Sequence, residues 1–249
     1  MKYSIITATY NAEKFLERAL ASILSQSYPN FEWVIQDGGS TDNTLNILKK
    51  HPDVRLKIRS EPDKGVYDAW NKAVARATGD WAIFLGSDDC FVHTHALAQC
   101  QRHLRNLPDT IQFAFGAMLQ GRDGQTDHLY NHSLRASYHR LLNNMGIPFP
   151  ATFVRISLLK QEKFDVRYKI AGDYDYAARL VTKKNLARIP VLVSYMERGG
   201  VSEDCRGPVL SERMRVIYTQ ILPRAKEFVT GCLENLENET DFLEDAPKD

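Results

Sequence analysis

Strand-like and helix-like segments alternate at short intervals through the first 85 residues. Residues 3–9, 31–36, 54–58 and 81–85 are apolar runs or alternations of strand length. Between them, residues 13–25, a stretch from the Ser40-Thr41-Asp42 cap to about Lys50, and residues 67–77 carry apolar side chains at helical spacing, with Pro29 and Gly79 as stops. Strands joined through helices imply a parallel sheet with right-handed crossovers, and ligands of such sheets bind at the carboxyl ends of the strands. The sequence therefore predicts one rim onto which the loops after strands one, two and four all open.

The second half is less regular. Residues 111–119 read as a strand, Gly121-Arg122-Asp123-Gly124 as a hairpin turn, 137–143 as a helix and Gly146-Ile147-Pro148-Phe149-Pro150 as a rigid loop. Residues 152–159 read as a strand running into a short helix, 173–182 as a helix and 187–195 as a last strand. Residues 209–236 read as one or two helices around Pro223, followed by an acidic tail over 237–249. The expected division is 1–205 as the α/β domain (1–110 and 111–205 as its two halves) and 206–249 as a helical extension with a tail.

The rim loops carry consistent chemistry. Strand one delivers Ala8-Thr9-Tyr10-Asn11, strand two Asp37-Gly38-Gly39-Ser40, and strand four Gly86-Ser87-Asp88-Asp89. Asp88 and Asp89 have no flanking Lys or Arg, so they repel each other unless a cation lies by them. A hard divalent ion that also holds phosphate oxygens suits such a pair. A ring, a carboxylate beside glycines and an acidic pair suit a base, a ribose and a metal-bound diphosphate. Net charge is +1, so no global field points to nucleic acid. Cys90, Cys100, Cys205 and Cys232 show neither a zinc spacing nor a tight pair, which fits a reducing compartment. The chain enters a strand by Tyr3 and has no apolar run of membrane-span length, so no signal peptide or span is read.

In Ser4-Ile5-Ile6-Thr7-Ala8-Thr9-Tyr10-Asn11, Asp37-Gly38-Gly39-Ser40-Thr41-Asp42, Gly65-Val66-Tyr67-Asp68-Ala69-Trp70-Asn71-Lys72-Ala73 and Ser87-Asp88-Asp89 the chain resembles the bacterial family-2 inverting glycosyltransferases of GT-A fold, over roughly residues 3–202. The resemblance is to the branch found in exopolysaccharide, O-antigen and colanic-acid-type assembly. It implies a Rossmann-like, mostly parallel mixed sheet flanked by helices. It also implies transfer from a nucleoside-diphosphate sugar, UDP-sugar favoured, to a saccharide or lipid-linked saccharide, with Mn²⁺ or Mg²⁺. By that resemblance Asp89 is the metal ligand and Asp173 the catalytic base. Ala8, Thr9, Tyr10, Asp37, Gly38, Gly65, Asp68, Asn71 and Asp88 are the nucleotide-side residues. Two positions depart from the family: Gly38 stands where relatives carry a second acid that reads the base, and Gly172 where they carry a Glu before the base.

Each reading has a plainer counterpart. Asp37 could serve only a capping turn, Asp173 only the start of a helix, Gly199-Gly200-Val201-Ser202 only a turn rather than a closing loop, with Arg198 or Arg206 reaching the diphosphate in the latter case. His93, His95 and His103 fit no zinc pattern and read as solvated or capping residues. Pro148-Phe149-Pro150 reads as an acceptor wall or as packing. The helices from Val209 are basic and amphipathic; packing on their own domain is expected first, with a lipid surface or a second subunit as the other options. Rival functions are a nucleotidyltransferase, against which the absence of a Gly-rich basic loop after strand one speaks, and a non-catalytic nucleotide-sugar-binding module. The expected location is cytoplasmic, compatible with the inner-membrane face.

Overall fold

The computed structural model describes residues 1–141, 144–199 and 206–224. Nine strands form one mixed sheet in the order β3-β2-β1-β4-β8-β6-β9-β5, with β7 paired to β6 outside this path. The parallel part is β1 (Tyr3–Thr9), β2 (Phe31–Asp37), β3 (Leu56–Ser60) and β4 (Trp81–Phe84). Helices α1 (Leu16–Leu24), α2 (Thr44–Lys49) and α3 (Val66–Arg76) make its crossovers. Residues of β1 and β2 are buried on both faces, as strands under two helical layers must be. Alternation by two divides them: Ile6, Val34, Ala82 and Phe84 enter one core, Ile5, Trp33, Ile35 and Ile83 the other.

The register pairs Thr9 with Asp37 across β1 and β2, so the rim loops start side by side. Past β4 come the short β5 (Cys90–Phe91) and α4 (Ala96–Leu104). Neither was legible as an element, although Ala96, Leu97, Cys100 and Leu104 are buried at helical spacing. Strand β6 (Phe113–Arg122) runs further than expected, and its hairpin to β7 (Gln125–Tyr130) turns on Asp123 and Gly124 alone, both at positive φ (51° and 80°). Strand β8 (Thr152–Arg155) is antiparallel to β4 and to β6, which makes the sheet mixed. Helices α5 (Leu134–Arg140), α6 (Ile156–Gln161) and α7 (Gly172–Leu180) and strand β9 (Leu186–Glu197) complete the second half.

Two local chemistries displaced predicted boundaries. Asp53 accepts the Arg55 N–H on its side chain and the Leu56 N–H on its carbonyl, which turns Val54 out to 99% exposure and starts β3 two residues late. Ala12 O accepts from Phe15 and Leu16, so a tight turn precedes α1.

The described part of the C-terminal extension is α8 (Arg206–Val216), continued by a π-helical turn over Ile217–Ile221. Val216 and Ile221 are buried in the domain's own core. Among the described residues no helix is long and apolar enough to cross a membrane. Cys90 and Cys100 are free thiols. Leu142 and Asn143 at the end of the predicted α5, the loop Gly200-Val201-Ser202, Cys205, Cys232, the predicted helix beyond 224 and the acidic tail lie outside the described residues.

Candidate active site

Asp37, the last residue of β2, anchors the rim. It is fully buried, and its two oxygens take five hydrogen bonds. The hydroxyls of Thr9 (3.0 Å) and Ser40 (2.5 Å) reach Oδ1; the Gly39 and Ser40 N–H groups (3.0 and 2.9 Å) and the Ser60 hydroxyl (2.6 Å) reach Oδ2. Burial works against its charge, but these donors outweigh burial and hold the acid below the usual carboxylate range. Asn11, at φ 49°, ties the strand-one loop to the same turn: its N–H donates to Ser40 Oγ and its Oδ1 accepts the Thr41 N–H. Tyr10 stands out from this platform, 67% exposed.

Gly38 lies beside Tyr10, and the space its side chain would need is taken. A Cβ there would meet Asp63 Oδ2 at 2.7 Å and the Tyr10 ring at 3.4 Å. Asp63, from the loop after β3, thus puts a carboxylate beside the position whose acid is missing. Its Oδ1 accepts the Gly65 N–H at 2.8 Å. Gly65 starts α3 at φ 118°, a conformation that favours glycine. Asp68 accepts the Lys64 N–H and lies 3.2 Å from the Lys72 ammonium, so it secures this loop. Asn71 is committed elsewhere: its amide donates to Phe164 O and accepts from Phe164 N, pinning the second half of the chain to α3.

The acid pair converges as its sequence implied. A Cβ on Gly86 would meet Asp88 Oδ1 at 2.5 Å and Asp89 Oδ2 at 2.9 Å, so both carboxylates lean over that glycine. Asp89 is 5% exposed; its Oδ2 accepts the Gly86 N–H and its Oδ1 the Glu197 N–H. Burial and then the Asp88 charge push Asp89 up to about 7, and burial raises Asp88 too. The Arg18 guanidinium offsets this only in part: its charge favours both ionised acids, but its contacts go to Glu197 at 2.6 Å and to the Asp88 carbonyl. Two close acids with unused lone pairs fit a divalent cation. Among the described residues no group of three or more His, Cys, Asp or Glu side chains forms a metal cage, so further ligands would come from diphosphate and water.

Asp173 opens α7 and lines a cavity of about 580 Å³. Its Oδ1 accepts from the Tyr174 N–H (2.8 Å) and lies 3.3 Å from the Tyr67 hydroxyl; its Oδ2 has no partner among the described residues. Burial raises the acid to about 6, against the pull of those donors and of Arg213. Gly172 has a physical reason. A Cβ there would lie 2.7 to 2.8 Å from three atoms of the Tyr67 ring, so Tyr67 occupies the space that a Glu would need. Glu212 of α8 accepts the N–H groups of Lys169, Ile170 and Ala171 (2.8 to 2.9 Å), fixing the approach to Asp173. Asp175 faces away: it is buried and paired with Arg179 at 2.9 Å.

The cavity adjoins the acid pair through the end of β9. Met196 lines it, and the next residue, Glu197, donates its N–H to Asp89. Pro148, Phe149 and Pro150 line the wall, and Phe149 also packs on Trp70 and Phe84, so this segment is both wall and core. Arg198 pairs with Asp127 at 3.1 Å. His93 accepts the His95 N–H as a local cap.

Asp63, Tyr67 in its contact with Asp173, and Glu212 were not singled out in the sequence. For Asp63 a signal existed: β3 is parallel to β2, so its following loop belongs on the same rim. Nothing in the sequence ties Glu212 to residues 169–171, more than 40 positions away.

Comparisons with known proteins bear on the family and the fold. The profile of "Glycosyl transferase family 2" matches residues 4–166. A "PGL/p-HBAD biosynthesis glycosyltransferase" of Mycobacterium tuberculosis is 33% identical over 217 residues, 80% of this chain and 78% of its own. The Escherichia coli UDP-Glc:alpha-D-GlcNAc-diphosphoundecaprenol beta-1,3-glucosyltransferase WfgD is 29% identical over 187 residues, 75% of this chain and 72% of its own. S. aureus TarS, solved with UDP-GlcNAc, superposes with a TM-score of 0.67 at 24% identity, covering 89% of this chain and 67% of that one; it speaks for the GT-A-like fold alone. With the profile spanning most of the α/β domain and a relative of this identity over four fifths of its length, the chain belongs to glycosyl transferase family 2.

Proposed function

We propose that the protein moves a sugar from a nucleoside-diphosphate donor, a UDP-sugar first of all, to a hydroxyl of a lipid-linked saccharide, with inversion, in the synthesis of a bacterial surface polysaccharide. Family membership supports glycosyl transfer; the donor and acceptor classes rest on those printed for WfgD and TarS. The observation that carries the mechanism is Asp173: a carboxylate raised to about 6, on the wall of a cavity that adjoins the acid pair.

Tyr10 offers an exposed ring to the base, with the Asp63 carboxylate beside it, while Thr9, Asp37 and Ser40 hold the platform below. Ala8, Gly38 and Gly65 shape the backbone around it, and Asp68 and Asn71 secure α3 and its loop. Asp173 Oδ2 accepts the acceptor's hydroxyl proton. That oxygen bonds to the anomeric carbon as the bond to the diphosphate breaks, and the electron pair leaves with the nucleoside diphosphate. One displacement from the opposite face inverts the configuration. Mg²⁺ or Mn²⁺, held by Asp89 with Asp88 beside it, would neutralise charge on the departing diphosphate.

The deciding experiment couples binding to product stereochemistry. Titration of UDP-, GDP- and dTDP-sugars with Mn²⁺ should give metal-dependent binding that Asp89→Ala weakens strongly. Proton NMR of the first transfer product should then show the anomeric configuration opposite to the donor's. Retained configuration, or full activity of Asp89→Ala in EDTA, overturns the reading.

A further inference from the structure

The cavity beside Asp173 has a charge pattern that a neutral sugar does not require. Arg140 from the end of α5 and Arg213 from α8 line it, with His128 and His132 on the same wall. Asp173 is the single carboxylate among its described lining residues. Arg18, Arg55, Arg155, Arg179 and Arg198 each pair with an acid. Arg140 and Arg213 make no ion-pair contact among the described residues; Arg213 donates to Asn144 Oδ1, a neutral acceptor, and its charge acts on Asp173 across the cavity. Both guanidiniums line one cavity, and their planar forks suit phosphate oxygens.

The donor's diphosphate does not account for them. None of Tyr10, Asp37, Asp63, Asp88 and Asp89 lines this cavity, so the nucleotide platform and the acid pair lie outside it. A second feature adjoins. Val209 and Arg213 of α8 face the cavity, while Leu210, Met214, Tyr218 and Leu222, each four residues after the last, are 61%, 40%, 63% and 52% exposed. These exposed apolar side chains lie on the same helical segment as the two lining residues Val209 and Arg213.

We propose that Arg140 and Arg213 bind a phosphate group of the acceptor, so that the substrate entering beside Asp173 is anionic at the end away from the reacting hydroxyl. This rests on the transferase reading above and assigns two residues to acceptor recognition. The phosphate could belong to a lipid headgroup or to a phosphate-bearing polymer; both present the same group to the arginines.

The test loads the donor site first. Protein saturated with UDP and Mg²⁺ is titrated calorimetrically with inorganic pyrophosphate and with farnesyl diphosphate. Wild type should bind pyrophosphate without losing UDP. Arg140→Gln and Arg213→Gln should each weaken it about tenfold or more, the size expected for a lost charged hydrogen bond, and Arg213→Lys should recover part of the loss. Tighter binding of farnesyl diphosphate supports a lipid headgroup; equal binding supports a polymer phosphate. Absence of pyrophosphate binding, equal binding by both Gln variants, or competition between pyrophosphate and UDP overturns the proposal. If wild type takes up none of UDP, GDP and dTDP, the transferase reading fails by itself. The pyrophosphate titration of nucleotide-free protein and the same variants then still decides what the arginines bind.

Discussion

Asp37 at the end of β2 and Asp173 in the first turn of α7 are shifted in opposite directions from the ordinary carboxylate range. Asp37 is buried under five donors that saturate both oxygens, and it stays ionised. Asp173 has donors on one oxygen only and is raised to about 6. Burial opposes the charge in both; the number of donors decides which effect wins. A saturated carboxylate is a structural strut, because every lone pair already serves the chain. A half-satisfied one keeps an oxygen free for a proton and is more basic, at a cost in stability.

The largest effect that could break this contrast lies at Asp173. Asp173→Asn should lower transfer by about 10²–10⁴-fold, the usual loss of a general base. It should also stabilise the fold near neutral pH. A shift from 3.8 to about 6 corresponds to at most about 3 kcal/mol held against the buried charge. Near wild-type rate would move the base elsewhere, and unfolding of the variant would make Asp173 a cap.

Asp37→Asn should do the reverse. Its amide would turn a donor toward groups that are themselves donors, costing about 2–4 kcal/mol of stability by chemical denaturation. A variant as stable as wild type would show that the five donors are not what keeps Asp37 in place.

The pH profile sharpens the comparison without mutation. As the proposed base, Asp173 would have to be unprotonated to act, so kcat/KM should be full above about pH 7 and fall about tenfold per unit below 6. Its raised value means the folded chain holds a proton the unfolded chain has lost, so its contribution to stability declines as pH rises from about 4 to 6. Asp37, held low, contributes stability above its unfolded value and loses it only in stronger acid. An activity limb centred near pH 4 would contradict the raised base.

Two smaller changes probe what surrounds Asp173. Gly172→Ala forces a methyl against the Tyr67 ring, for an expected loss of about 1–3 kcal/mol and a displaced base. The single proton of the Tyr67 hydroxyl is shared between Ile170 O at 2.5 Å and Asp173 Oδ1 at 3.3 Å, so Tyr67→Phe removes only a weak donor to Asp173 and should move the acid limb of the pH profile upward by a small fraction of a unit. A downward shift would mean that the hydroxyl favours the protonated acid instead.

Much of the first half of the chain was legible because its physics is local. Apolar runs of β1, β2 and β4 with helical stretches between them dictate parallel crossovers, and the rim with Tyr10, Asp37 and Asp88-Asp89 follows from that topology. The second half was less legible. Antiparallel β8, inserted between β4 and β6, is chosen by the partners it finds, not by its own four residues. Helix α4 went unread although Ala96, Leu97, Cys100 and Leu104 mark a buried face.

The amino-acid pattern by itself determined which residues stand at strand ends, that two adjacent acids lie on the rim, and that an aspartate opens a helix in the second half. Tertiary structure alone decided how each acid behaves. Gly38 and Gly172 read as missing acids in the sequence; in the fold, Asp63 fills one space and the Tyr67 ring the other. Asp37 and Asp173 are the same residue type; Gly39, Ser40 and Tyr174 supply local donors, but the Thr9 and Ser60 hydroxyls that complete the set on Asp37 come from more than 20 positions away, and Asp173 has no such set. Hydrogen-bond partners and burial depend on contacts across the chain, so no window of neighbouring residues contains them.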